Sequence, residues 1–154
     1  MIVLALWLAV SLATFTISDP SLNTATPAPV QNMGGPLGAV VADLLLQMIG
    51  GASLLLIAPL LIWGAVAVMK GAPDETPYEF WRRLAVAPAA ILSGAAFLAS
   101  WTPPADWPYV VGAGGLVGGV FFGGVTGLLS VLGASVARGL AAGLFAMAAL
   151  VSYA

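Results

Sequence analysis

The sequence predicts an all-α integral membrane protein, on the strength of its composition, its mean hydropathy and the length of its apolar stretches. Of 154 residues, 61% are hydrophobic and 6% are charged, whereas a soluble domain needs roughly a quarter of its residues charged to cover its surface. Mean hydropathy is +1.08. Several apolar stretches reach the roughly 20 residues that a bilayer-spanning helix requires.

Residues 1–17, MIVLALWLAVSLATFTI, carry no charged side chain and extend about 26 Å as a helix, which makes a short first span. A cleaved signal peptide is the competing reading. It lacks a basic residue ahead of the apolar run and a clear small-x-small cleavage site before Asp19. Residues 18–36, SDPSLNTATPAPVQNMGGP, break every periodicity and form a polar loop without positive charge. Within it, Ser18-Asp19-Pro20-Ser21 reads as a turn that stops the first helix. Asp19 serves that turn, and the polar Asn23, Thr24 and Thr26 offer contacts to partners outside the membrane.

Pro36 suits the first turn of the next helix. Asp43 and Gln47, at i and i+4, share one face of an amphipathic, interfacial start, with Leu37, Val40, Val41, Leu44, Leu45 and Met48 around the rest. The second span follows over residues 44–69, with a kink expected at Pro59. Asp43 would cost about 2.5 to 3.5 kcal/mol at mid-bilayer, so it belongs near the outer interface or in a pair inside an oligomer.

Lys70, Arg82 and Arg83 are three of the four cations of the chain, and they flank the loop over residues 70–81. This concentration of Lys and Arg, beside Asp74, Glu75 and Glu79, makes that loop cytoplasmic by the positive-inside rule, with Lys70, Trp81, Arg82 and Arg83 as interface anchors; two adjacent arginines are few for a dedicated lipid-headgroup site. The third span covers residues 82–100. Trp101, Trp107 and Tyr109 then form an aromatic belt around an outside loop at 101–111, and the N-terminus is cytoplasmic.

Residues 112–133 are apolar and rich in glycine. Gly115, Gly119, Gly123 and Gly127 recur every four residues and make a smooth groove for close helix packing. A phosphate-cradling loop is excluded, because it needs a following Lys and no Lys occurs after position 70. A full crossing of this segment gives five spans and places Arg138 inside. A dip and return gives four, and so many glycines make a weak isolated helix. The last span covers residues 135–154.

Several chemistries fall away on composition. With no His and no Cys, the chain has no zinc site of the usual ligand set, no thiol nucleophile and no Ser-His-Asp triad. Four cations cannot neutralise a row of phosphates, so direct DNA contact is not expected from these residues. A transport or channel subunit would carry ionisable groups within its spans, and the core of each span here is free of charge. A membrane-embedded enzyme would gather its carboxylates at one depth, and here they are scattered.

The run SDPSLNTAT at 18–26, followed by GPLGAVVADLLLQMIG at 35–50 and PLLIWG at 59–64, resembles the N-terminal membrane region of the FtsK/SpoIIIE DNA translocases, and the order of TPPADWP and GGLVG at 114–118 is similar too. The outside loop motif Ser18, Asp19, Pro20, Ser21, Leu22, Asn23 and Thr24 is its most specific part. The resemblance implies four transmembrane helices with both ends in the cytoplasm. An outer interfacial helix then precedes the second, and a Gly-rich re-entrant or interfacial segment precedes the fourth. Arg138 would lie near the outer face or inside a bundle, paired with a group such as Asp43 or Asp106 or snorkelling to the interface.

The resemblance further implies a multi-pass anchor in the bacterial inner membrane at the division septum, serving an ATP-driven DNA motor in cell division and chromosome segregation. Its expected partners are the lipid bilayer, further copies of itself (a hexamer, as the family motor implies) and division-site proteins. A motor's GxxxxGK[ST] loop is absent from these residues, so no cofactor and no enzymatic activity is expected of them. A chain that opens and closes inside apolar stretches reads as the membrane region of a longer protein.

Overall fold

A computed structural model describes residues 1–71 and 76–153, and every regular element among them is helical. The α-helices are α1 (Ile2–Ala13), α2 (Gly35–Ile49), α3 (Ile57–Lys70), α4 (Pro77–Leu98), α5 (Gly115–Leu128) and α6 (Ala134–Tyr153). Two 3-10 segments, Gly50–Leu56 and Ser130–Leu132, precede α3 and α6.

The boundaries follow from local chemistry. Gly35 starts α2 with φ +75, a conformation that costs glycine little, and Pro36 occupies the first helical turn. α4 opens on a capping box: the Thr76 hydroxyl accepts from the Glu79 backbone N–H at 3.3 Å and the Glu79 carboxylate accepts from the Thr76 N–H at 2.9 Å. The threonine, the proline after it and the glutamate three residues on form a local signature in TPYE, and they start the helix at Pro77, ahead of the expected third span. Gly133, with φ +94, separates the second 3-10 segment from α6.

The expected kink at Pro59 takes a different form. The irregularity lies ahead of the proline, where Gly50 has φ +60 and residues Gly50–Leu56 wind as 3-10 helix, with α3 beginning at Ile57. Proline within its first turn needs no backbone N–H, so Pro59 is accommodated by an early helix start rather than by a break.

The chain divides into two compact units, Met1–Leu46 with Ser53–Asp74, and Gln47–Ala52 with Glu75–Ala154. In the first, Leu8, Leu12 and Ala42 form a buried core, packed about by Trp7, Val41, Leu45, Leu56, Ile57 and Leu60. α1 lies along α3, and a Cβ on Gly64 would come 2.6 Å from the Ile2 side chain. In the second, α6 packs chiefly on α4, with Ala96, Phe122 and Ala141 as the core. α5 meets α4 where Gly114 and Gly118 oppose the backbone of Ala95, so close that a Cβ on either would collide with the Ala95 carbonyl.

Among the described residues, two helical runs are long and apolar enough to cross a membrane, Gly35–Lys70 with 36 residues and Ala134–Ser152 with 19. Only 17% and 11% of their most apolar windows are buried, so the chain itself does not cover them. Ile2–Ala13, Ala85–Leu98 and Gly115–Leu128 are shorter apolar helices.

The packing separates two classes of glycine. Gly118→Ala should lower thermal stability by about 1–3 kcal/mol through overpacking on Ala95. Gly124→Ala, which meets open space, should leave it unchanged or raise it by about 1 kcal/mol through helix propensity. Melting curves of the two variants in one detergent check the contrast.

Candidate functional site

The loop between α1 and α2 is the part of the chain with the most specific polar geometry. Its one charged residue, Asp19, is 2% exposed. The carboxylate spans two successive amides, with Oδ1 accepting from Gln31 N–H at 2.8 Å and Oδ2 from Asn32 N–H at 2.9 Å. Asp19 therefore does more than end α1. It draws the two ends of a 13-residue excursion together, and charge-assisted bonds of this kind are among the strongest that a loop can make.

Asn32 continues the network. Its side-chain amide donates to the Ser11 carbonyl at 2.8 Å, and its Oδ1 accepts from Gly34 N–H at 2.8 Å. The Trp7 indole N–H reaches the Gly34 carbonyl at 3.1 Å, and the Thr14 hydroxyl accepts from Met33 N–H at 3.1 Å. Ser11 and Thr14 donate in turn to the carbonyls of Trp7 and Val10. Space at this junction is tight: a Cβ on Gly38 would lie 2.7 Å from both Asn32 Oδ1 and Ser11 Oγ, and one on Gly34 would overlap Ser11 Oγ. Glycines at 34 and 38 thus let the start of α2 press against α1.

The rest of the motif is built on this clasp. Ser18 is exposed and Pro20 half-buried. Ser21 closes a small turn, its hydroxyl accepting from Asn23 N–H at 3.4 Å and Thr24 N–H at 3.2 Å, while its own N–H donates to the Thr24 carbonyl. Leu22, at the tip, is 72% exposed, and Asn23 is exposed beside it. The seven motif residues therefore divide between an inward-facing brace, Asp19, and an outward-facing turn centred on Leu22 and Asn23.

Trp7, Ser11, Thr14, Asn32, Gly34 and Gly38 carry no sequence signal that marks them as a site. Ser11 and Thr14 are visible as hydroxyls in an otherwise apolar helix, and Asn32 as an amide just before Gly34-Gly35-Pro36. Their meeting depends on the chain doubling back, which periodicity does not encode.

The other expected site residues are dispersed. Gly115 is buried, with φ +67, and abuts the backbone of Gly50 in the second unit; Gly119, Gly123 and Gly127 face open space. The close approach inside the chain is made by Gly114 and Gly118, neighbours of that stripe about 100° around the helix. Lys70 ends α3 and is exposed, as are Trp81 and Arg82 in the first turns of α4. Arg83 also lies in α4, with its side chain outside the described residues. Arg138, in the second turn of α6, is exposed, as snorkelling requires. Asp43 is buried in α2, at 5% exposure.

Among the described residues, no group of three acidic side chains could hold a metal ion. The second unit has a shallow apolar cavity of about 150 Å³ lined by Gln47, Met48, Tyr109, Val110, Val111 and Leu116. The site chemistry is that of structural hydrogen bonding.

Removal of the Asp19 carboxylate leaves two amides unpaired at the clasp. Asp19→Ala should destabilise the chain by about 2 kcal/mol or more, at about 1–3 kcal/mol for each buried donor orphaned. Asp19→Asn, which keeps one acceptor oxygen, should lose about half as much. Hydrogen exchange at the amides of Gln31 and Asn32 measures this directly, and exchange unchanged in Asp19→Ala would show that other bonds hold the loop.

The family model for the 4TM region of DNA translocase FtsK/SpoIIIE matches residues 1–153. A DNA translocase FtsK from Caulobacter vibrioides is 32% identical over 146 residues, covering 93% of this chain and 18% of its own length. The FtsK of Mesorhizobium japonicum is 36% identical over 130 residues, covering 78% of this chain and 14% of its own. That of Brucella melitensis biotype 1 is 36% identical over 121 residues, covering 74% and 14%. The chain thus spans less than a fifth of the length of these curated relatives, and the matched part is a membrane region rather than a motor. No solved structure matches it. A model that matches all but the last residue places this chain in the family of the 4TM region of DNA translocase FtsK/SpoIIIE.

Proposed function

We propose that the chain is the membrane anchor and assembly domain of a septum-located DNA translocase acting in cell division and chromosome segregation. The family match over residues 1–153 carries this reading. The anchor lies in the bacterial inner membrane with four spans, over about residues 1–17, 44–69, 82–100 and 135–154. Residues 18–36 and 101–111 are outside, and residues 70–81 are cytoplasmic.

Helix lengths support this arrangement. α6, with 20 residues, extends about 30 Å, enough for a hydrocarbon core of about 30 Å, while α4 has its apolar part in Ala85–Leu98 and needs the interfacial residues on either side to complete a crossing. α5, with 14 residues, extends only about 21 Å, which favours a re-entrant or interfacial course before the fourth span. α1, with 12 residues, crosses only with the apolar Phe15 and Ile17 completing its reach. The Gly35–Lys70 run exceeds the core, in keeping with an interfacial first part before the second span.

In this arrangement the clasped loop presents Leu22, Asn23 and Thr24 outside, where division-site proteins meet them. Lys70, Trp81, Arg82 and Arg83 hold the cytoplasmic interface. The open face of Gly119, Gly123 and Gly127 receives further copies of the chain, to the hexamer that the family motor implies.

Two experiments test the reading. A fluorescent fusion of the chain in a dividing proteobacterial host should collect at mid-cell, and uniform membrane fluorescence would remove the septal role. Alkaline phosphatase should be active when inserted after residue 25 or residue 105 and inactive after residue 74, the opposite pattern inverting the topology. Assembly has its own check: Gly119→Leu and Gly123→Leu should shift the detergent-solubilised oligomer to smaller species, and wild-type assembly of both would refute the glycine face.

A further inference from the structure

We infer that the 3-10 segment Gly50–Leu56 is a convertible element that exchanges with α-helix and so changes the length and rotation of the helical run joining α2 to α3. It runs for seven residues, whereas such runs beyond three or four are uncommon and, within a helix, mark hinges or strain. The inference concerns the helix itself and is independent of the anchor reading.

The states of two groups in the segment would change in an α-helix. Ser53 is fully buried and its hydroxyl has no hydrogen-bond partner, an unfavourable state for a polar group out of water. In α-helix the same hydroxyl reaches the carbonyl four residues back, as Ser11, Thr14, Thr126 and Ser152 do here at 2.7 to 2.9 Å. For Ser53 that carbonyl belongs to Ile49. Gly51 N–H now donates sideways to the Ala113 carbonyl at 2.8 Å. In α-helix it would donate to the Gln47 carbonyl instead, so conversion exchanges one backbone bond for another and adds the serine bond.

Gly50 makes the exchange accessible. Its φ of +60 is open to glycine as readily as the helical well, so the residue passes between the two without a Cβ penalty. Each residue converted shortens the run by about 0.5 Å and rotates the downstream helix by about 20°. Conversion of residues 51–53 therefore draws α3 in by about 1.5 Å and rotates it by about 60°, and the return of Gly50 to the helical well redirects the axis as well. The start of α2 is held by the Asn32 and Ser11 network, so α3 is the part that moves. α3 packs on α1 at Gly64, against Ile2, and its start packs on the Leu8, Leu12 and Ala42 core through Leu56, Ile57 and Leu60, so the movement exchanges the residues that meet α1.

Spin labels at Leu44 and Val68, 47% and 77% exposed, bracket the segment. Double electron–electron resonance on the full chain in lipid nanodiscs should give a long and a short separation in wild type, apart by about 1.5 Å along the axis plus the swing of the redirected and rotated helix. Ser53→Ala, which removes the bond that favours the α form, should keep the long component and lose the short one. Gly50→Ala, which disfavours φ +60, should enrich the short one. One common distribution in wild type and both variants overturns the proposal. If Gly50→Ala does not assemble, identical distributions in wild type and Ser53→Ala overturn it alone.

Discussion

The constraint on which the rest of this structure depends is that backbone N–H and C=O groups must be satisfied within the chain wherever water is excluded. With 6% of its residues charged, the protein has few side chains with which to relieve a lapse. Helix supplies the bonds along each apolar run, and the difficulty concentrates where helices stop. At the α1 to α2 connection the solution is a set of short polar side chains: Asp19 takes two amides, Asn32 one carbonyl and one amide, Trp7 a carbonyl and Thr14 an amide. Both oxygens of the one buried carboxylate are occupied there, each by a backbone N–H. The hydroxyls of Ser11 in α1 and Thr14 just after it, which would be awkward in lipid, donate to helix carbonyls four residues back, and Thr14 also accepts from the loop.

The same economy explains the glycines that are buried. Between apolar helices in lipid there is little hydrophobic drive to associate, so stability comes from close contact, and close contact needs small residues. Gly114 and Gly118 let α5 reach the Ala95 backbone, and Gly34 and Gly38 let α2 reach Ser11. At Gly50 and Gly115 the requirement is double, for both have positive φ and each would drive a Cβ into the backbone of the other. A substitution at either is therefore strained in conformation and in space at once.

The range of each signal decides how much of this fold is legible in the sequence. The all-helical class and its apolar runs are properties of composition and of stretches that a bilayer must contain, and they read directly. The start of α4 is legible as well, since Thr76, Pro77 and Glu79 form a local signature. Pro59 misleads by its type: proline signals a break only in a helix interior, and its position in the first turn of α3 depends on where the 3-10 segment ends. Asp19 reads as a turn residue from Asp-Pro alone. Its bonds to Gln31 and Asn32, 12 and 13 residues away, depend on loop closure and leave no trace in spacing. The glycine period of four is visible, but period alone does not say which of two adjacent faces is turned to the chain's own helices, and the structure turns Gly114 and Gly118 inward.

The outward-facing glycines carry a cost that the chain itself does not recover. In a helix, glycine is less favourable than alanine by about 1 kcal/mol, and Gly119, Gly123, Gly124 and Gly127 regain none of that through contacts within the chain. Contact with lipid does not recover it either, because an acyl chain adapts as well to a methyl group as to a hydrogen. A second helix does not adapt, and for it the missing Cβ is the difference between backbones that touch and backbones held apart. A cost repeated along a helix face is what a packing partner there would offset, which is the physical basis of the assembly proposed above.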